Sequence, residues 1–424
     1  MGDPMTAGIG YEPFAPVYGD EVFASYAELL TRAPVHHTRS GYWLVSRYDD
    51  VKAIMADPAL YSNRPMQQET GSLPTSFDEC MDPELLAGLM RLAANFPVDE
   101  LGELLEARMI VAADPPKHTR LREIVNRAFS PRRVAVLIAG IDAIVARCTA
   151  DLVSRSEYDV VAELAVPLPV QVIAEMLSVG PEHHVDIKRW SDEISAAAQG
   201  PSRGTAEAQA RVVGMLTEFA AFFVPRIQER KEHPTDDLIS ALVRSRDEDT
   251  LSVVESLLFI LVIMFAGNET TTNLIGNTVV SLLENPDQLD LLLADGNLLP
   301  GAIEEALRVR SPFQFFFREP TRDVTVSGVD IPARSTICVM FGAANRDPAR
   351  YPEPDRYLVT RAQGHLAFGF GIHFCLGAHL ARAETRAAVA ALLPHLPRFR
   401  LAGELRRVEA PMVFGYERVL LSRR

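Results

Sequence analysis

Phe368-Gly369-Phe370-Gly371-Ile372-His373-Phe374-Cys375-Leu376-Gly377 runs directly into a helix-forming stretch, Leu376 to Leu393, and its reading decides the fold. A helix N-terminus carries unpaired N–H groups and a partial positive charge, so a cysteine sulfur placed there is more readily deprotonated and better held as a metal ligand. Gly369, Gly371 and Gly377 permit turns with positive φ and let a flat ligand lie close to the backbone. A lone cysteine is more often a small buried hydrophobe. The glycines and the following helix turn that balance toward a thiolate presented to a metal.

The segment resembles the cysteine-ligand loop of the cytochrome P450 family, Phe-x-x-Gly-x-His/Arg-x-Cys-x-Gly, and matches it at Phe368, Gly371, His373, Cys375 and Gly377. The resemblance spans about Val35 to Pro411. It implies haem b (iron protoporphyrin IX) with the Cys375 thiolate as axial ligand, seated against Phe368, Gly369 and Gly377. It also implies a mainly α fold with small β-sheets, in which the haem lies between a long central helix and the cysteine loop.

The chain as a whole is compatible with that expectation. Its 424 residues contain no Gly/Ser/Pro-rich linker, repeat or low-complexity tract, so residues 1–424 read as one domain. A content of 48% apolar and 23% charged residues suits a globular protein with core enough to enclose a large cofactor. Met1 to Pro16 shows no basic segment followed by an apolar one, and the longest apolar run, Leu257 to Gly267, is shorter than the roughly 20 residues of a membrane span. A cytoplasmic protein without a membrane anchor is expected. Cys80, Cys148, Cys338 and Cys375 lie far apart with no C-x-x-C pair, which argues against structural zinc, iron–sulfur ligation and disulfides. A net charge of −14 disfavours nucleic acid as a partner.

Helical periodicity dominates: Val51–Ala56, Lys117–Ala128, Val134–Ser154, Ala206–Lys231, Ser252–Glu284, Pro300–Val309 and Leu376–Leu393. Strand signals are confined to Tyr42–Ser46, Val324–Val326, Val329–Ile331 and Thr336–Met340. Residues 65–114 are acidic and weakly periodic, which suggests a partly helical functional lid. Leu89, Met90 and Phe96 from this region are candidates for the substrate wall. Ile263 and Ala266 on the central helix, Phe313 and Phe316, and Met412 and Val413 complete that set.

Ala266-Gly267-Asn268-Glu269-Thr270 places polar residues in mid-helix directly after an apolar run. Burying a carboxylate is costly unless it is paired or solvated, so Glu269 suggests a water-lined or proton-carrying site. Ala266 and Thr270 share a face one turn apart, and Gly267 removes bulk beside them. The stretch resembles the family's acid–alcohol pair. That implies Thr270 as the hydroxyl that hydrogen-bonds the oxygen substrate, Glu269 as the acid that feeds protons, and Ala266 and Gly267 lying against the haem.

Asp114-Pro115-Pro116 reads as a helix start, with Asp114 as N-cap and Pro115 as first helical residue. His118 and Arg122 then share a stripe with Leu121 and Val125. By the resemblance His118, Arg122, Arg318 and His373 are donors to the haem propionates, the arginines being better suited to a carboxylate than the histidines. Glu305-x-x-Arg308 is an i,i+3 pair of little weight at a surface. The resemblance makes it, with Arg356, a buried structural network; Glu304 also lies one turn from Arg308.

The resemblance implies an O2- and electron-dependent monooxygenase that hydroxylates or epoxidises an apolar small molecule and works as a monomer. Neither a third glycine after Gly369-x-Gly371 nor a P-loop is present, so the electrons are expected from a ferredoxin or flavodoxin with its reductase. Arg132, Arg133, Arg382 and Arg386 would offer that partner positive charge. A haem-thiolate sensor would not need Glu269 and Thr270, and a cysteine hydrolase with His373 as base would leave the glycines unexplained. A haem-thiolate enzyme that uses peroxide, or that couples or desaturates its substrate, is the nearer alternative.

Overall fold

Helices carry most of the chain in the computed structural model, which describes residues 9–15, 21–70, 83–106, 108–129, 131–199, 205–244 and 250–424. Cys80 and part of the 65–114 segment lie outside the described residues. The chain divides into two compact units. The first comprises Met1–Ser62, Ile138–Pro169 and Glu269–Arg424; the second comprises Asn63–Leu137 and Val170–Asn268.

The strands all lie in the first unit: β1 (Val35–His37), β2 (Trp43–Val45), β3 (Tyr61–Ser62), β4 (Glu157–Asp159), β5 (Phe316–Pro320), β6 (Val324–Val326), β7 (Val329–Ile331), β8 (Ile337–Val339), β9 (Phe399–Leu401) and β10 (Leu420–Arg423). They form a five-stranded sheet of order β1-β2-β8-β5-β3, a three-stranded sheet β4-β10-β9 and the hairpin β6-β7. Only β2 and β8 pair in parallel, with Leu44 opposite Cys338. Val45, Ile337 and Val339 from the large sheet bury against Val51, Ile54 and Met55 of the helix Tyr48–Ala56.

Six of the strands escape sequence reading because two to five residues give too little alternation to detect, and because β4 finds its partner some 260 residues away in β10. The helices Glu21–Arg32, Pro167–Met176 and His184–Gln199 are likewise additional. Lys117–Ala128 forms as read, and the central helix runs Val253–Glu284. Asn285-Pro286 ends it, since the residue before a proline is driven out of the α region.

Asp114 is not the N-cap that its sequence position suggests. The helix starts at Lys117 after a cis Pro115–Pro116 bond. The Asp114 carboxylate is already committed to the Asn63 N–H at 2.8 Å, and only its carbonyl serves the helix, accepting from His118 N–H at 2.9 Å.

In the second unit Trp190 packs edge-on against Phe219, their ring centroids 5.5 Å apart, and so joins the helix His184–Gln199 to the helix Ala206–Glu232. The central helix begins under a carboxylate. Glu100 accepts from the N–H groups of Val253 and Val254 at 2.7 and 3.2 Å, satisfying donors that a helix start leaves open and opposing its positive end. The central helix is long and apolar enough to cross a membrane, yet more than half of its most apolar window is buried inside the protein.

Glu384 lies on the buried face of the helix Ala378–Leu392 among Leu380, Ala383 and Ala388. Its Oε2 has no hydrogen-bond partner among the described residues, and burial pushes the carboxyl up to about 8. The folded protein therefore holds this proton where the unfolded chain, titrating near ~4.3, has lost it. Its contribution to stability is complete below about pH 4 and falls as pH rises through 8, on the order of 3 kcal/mol between pH 5 and 8. Glu384→Gln removes the titration. Its unfolding midpoint in urea is expected to hold steady over that range while the parent's declines; parallel declines would refute the assignment.

Candidate active site

The cysteine loop is shaped by its contact with Met55. Gly371 has φ +72°, and a Cβ there would lie 2.5 Å from the Met55 carbonyl oxygen. Gly369, at φ +73°, would bring a Cβ within 3.2 Å of the Met55 Cε. Handedness favours glycine at both positions, and at Gly371 the backbone of Met55 leaves no space for a side chain. The Cys375 N–H donates to the Phe368 carbonyl at 2.9 Å and closes the loop, leaving Cys375 half-exposed ahead of the helix Ala378–Leu392. No protein atom lies within 4 Å of a Cβ built on Gly377. A half-exposed thiol at a helix start, with clear space beside it, fits a broad planar ligand bound through sulfur.

In the same unit Arg318 is buried on β5, where its Nη1 donates to the Phe317 carbonyl at 2.7 Å, and His373 is half-buried in the cysteine loop. Glu269 and Thr270 are also half-buried. The three consecutive threonines differ in environment: Thr271 is buried, and the Thr272 hydroxyl donates to the Ala165 carbonyl at 2.9 Å.

In the second unit His118 is buried and Arg122 half-buried on the helix Lys117–Ala128. Burial lowers the His118 pKa, Arg122 lowers it further and Asp114 partly opposes them, so the ring is neutral at pH 7. Ala266 is exposed and Ile263 half-buried. Beside Gly267 lies Ile173: a Cβ on the glycine would come within 3.0 Å of the Ile173 Cδ1. Of the candidates from the 65–114 segment, Met90 is exposed, Leu89 half-buried and Phe96 buried.

The phenylalanine run sorts by side. Phe315 and Phe317 are fully buried and pack on Phe14, with centroids 6.0 and 5.9 Å away. Phe313 and Phe316 are half-buried and lie against each other at 4.5 Å. Phe313 also bridges Val413, beside the buried Met412.

Behind the cysteine loop, Arg308 is fully buried and places all five of its N–H donors. Its Nε and Nη2 reach the two Glu305 oxygens at 2.7 and 2.8 Å; Nη1 reaches the carbonyls of Asn345 and Pro354, and Nη2 that of Arg356. Glu305, not Glu304, is thus its partner. The third charged member is Arg361, whose Nε donates to Glu305 at 2.9 Å. Arg356 supplies only its backbone carbonyl, and its own side chain is exposed and paired with Glu353. Arg361 has no periodicity or motif to single it out, and two arginines five residues apart in one irregular loop are indistinguishable by spacing. Asn345, which no sequence signal marks either, accepts from the Leu366 N–H at 2.7 Å; the Leu366 carbonyl in turn accepts from Gly369 N–H at 2.8 Å, so the network ends in the cysteine loop.

Glu304 pairs instead with Arg382 and His365. Burial alone would raise its carboxyl, but hydrogen bonds from Arg382 and His365 outweigh that and hold it at about 2. Arg382 is accordingly compensated, and Arg133 likewise meets Asp236 at 3.2 Å; Arg132 and Arg386 are exposed.

Comparison with known proteins agrees with this geometry. Residues 202–407 match the family model for cytochrome P450. Cytochrome P450 107B1 of Saccharopolyspora erythraea is 39% identical over 85% of this chain and 83% of its own length. The 6-deoxyerythronolide B hydroxylase of the same organism is 37% identical over 89% of both chains. The solved structure of CYP109Q5 from Chondromyces apiculatus superposes with a TM-score of 0.78 at 35% identity, over 95% of both chains. Likeness of this extent in sequence and in backbone leaves one conclusion about a chain built around such a cysteine loop: it belongs to the cytochrome P450 family, whose members carry a haem with a cysteine thiolate ligand, and it is a monooxygenase acting on small organic molecules.

Proposed function

We propose that this cytochrome P450 hydroxylates or epoxidises an apolar molecule of about macrolide size, and that residues 1–424 serve one catalytic function with 65–114 as its substrate lid. The observation that carries this reading is the half-buried Phe313–Phe316 pair beside Met412 and Val413, an apolar wall on the rigid frame of the large sheet. The similarity to a relative named for hydroxylating 6-deoxyerythronolide B supports the size class.

Cys375 would hold haem b through its thiolate, and Arg122, Arg318, His118 and His373 would hold its carboxylates. The buried Arg318 offers a planar donor fork, and the neutral His118 ring keeps one N–H to give. When bound, the haem supplies dioxygen activation, helped by electron donation from sulfur. The protein's own share is positional and protonic. The Thr270 hydroxyl orients the oxygen substrate by hydrogen bonding, and Glu269, half-buried and in reach of solvent, passes protons inward. The aromatic wall excludes water and holds the organic substrate.

The electrons come from a ferredoxin or flavodoxin with its reductase, for which the exposed Arg386 on the cysteine helix provides charge. The enzyme works in the cytoplasm as a monomer. Proton delivery is tested with Thr270→Ala and Glu269→Gln, supplied with a surrogate ferredoxin and reductase and an oxidisable macrolactone. Product per electron pair is expected to fall by about 10–100-fold while reductant consumption continues and hydrogen peroxide is released. Unchanged coupling in both variants would remove these residues from the mechanism.

A further inference from the structure

Gln314 sits between the two faces of the phenylalanine run and is buried, with every polar group of its backbone and amide occupied. The Tyr26 hydroxyl donates to its Oε1 at 2.7 Å, and its Nε2 donates to the Ser311 carbonyl at 2.5 Å. Its backbone N–H donates to the Met412 carbonyl at 2.8 Å, and its own carbonyl accepts from the Gly342 N–H at 2.9 Å. Gly342 makes room for this arrangement, because a Cβ there would fall 2.3 Å from Gln314 Oε1 and 2.8 Å from Tyr26 Cε2. The residue therefore ties four segments: its amide joins the helix Glu21–Arg32 to the turn after Arg308, and its backbone joins the helix Phe341–Ala344 to the C-terminal loop carrying Met412 and Val413.

From this juxtaposition we infer that Gln314, held by Tyr26, is a positioning residue that sets the spacing between the Phe313–Phe316 pair and the Met412–Val413 loop, and so determines how long a substrate the enzyme accepts. The inference rests on the reading of those four residues as the substrate wall. The two sides of that wall, Phe313 and Val413, meet in a single isolated bridge, too short to fix a register by itself. The Gln314 N–H to Met412 bond is one of the two backbone bonds that form that bridge, the other running from the Phe414 N–H to the Pro312 carbonyl at 2.9 Å, so the residue held by the Tyr26 hydroxyl is itself part of the seam. Tyr26 acts from a helix outside the wall, anchored by Tyr11 at a ring-centroid distance of 5.8 Å. The Ser311 carbonyl, which can only accept, takes the amide nitrogen, and this leaves the amide oxygen to accept from the Tyr26 hydroxyl.

The test uses the haem-loaded enzyme and spectral titration with two nitrogen-donor ligands of different length, 4-phenylimidazole and clotrimazole. A general loss of order weakens both; a change in wall spacing alters the ratio of their Kd values. Tyr26→Phe and Gln314→Leu are each expected to shift that ratio by at least about five-fold, with Tyr26→Phe retaining full haem content should Gln314→Leu fold poorly. Phe313→Ala and Phe316→Ala report on the wall itself. If they shift the ratio and Tyr26→Phe leaves it unchanged, Gln314 has no positioning role and the wall stands. If none of the four shifts it, the wall assignment falls and this inference with it.

Discussion

Reduced and exposed to carbon monoxide, the Cys375→Ala protein is expected to show no strongly red-shifted Soret band, and to oxidise no substrate, while the parent shows that band. The argument is local and chemical. Among the cysteines of the described residues, Cys375 is the one held ahead of a long helix by a glycine loop, with its N–H engaged by Phe368 and the residue half-exposed. Cys338 is buried in β8, and an alanine at 375 offers no electron pair. Without sulfur donation, a haem retained by its carboxylate contacts has lost the ligand that favours O–O cleavage. Circular dichroism of the variant separates loss of ligation from loss of fold. A red-shifted band that survives the substitution would overturn the assignment of the site.

Arg308→Leu is expected to cost about 3–5 kcal/mol and to leave most of the purified protein without haem. The side chain is fully buried, and its removal takes two hydrogen bonds from the Glu305 carboxylate and the Arg308 donors from the carbonyls of Asn345, Pro354 and Arg356. Arg361 remains beside Glu305 but its other donors already serve the carbonyls of Pro352 and Glu353. The loss spreads along Asn345 and Leu366 to Gly369, so the cysteine loop loosens with the network. Arg361→Ala should fall between this and the parent. Arg356→Ala should stay within about 0.5 kcal/mol, because it gives up an exposed pair with Glu353 and keeps the carbonyl that Arg308 uses. Urea midpoints and haem-to-protein ratios measure all three, and an Arg356→Ala as damaging as Arg361→Ala would reverse the correction.

The chemistry of this protein is unusually local, and so it is legible in the chain. The cysteine loop, the Glu269–Thr270 pair proposed for proton delivery and the Glu305–Arg308 spacing each occupy ten residues or fewer, in a fixed order. The long helices were equally readable, because 3.6-residue periodicity needs only neighbours in sequence. Lys117–Ala128 and the central helix show it.

What tertiary structure alone decided lies where partners are remote. Asn63, fifty-one residues upstream, takes the Asp114 carboxylate and moves a helix start. Ile173, ninety-four residues upstream, packs beside Gly267. Arg361 displaces Arg356 because burial, which spacing does not encode, selects which of two loop arginines reaches Glu305. Phe14 packs on Phe315 and Phe317 and so divides one aromatic run into a fully buried and a half-buried side, and the Gln314 amide oxygen finds its donor in Tyr26, 288 residues distant in sequence. The sequence by itself therefore determined the family and the type of reaction, both borne by short motifs. The packing determined which charges pair and which rings of the aromatic run are fully buried, since those follow from contacts that form only after distant segments have met.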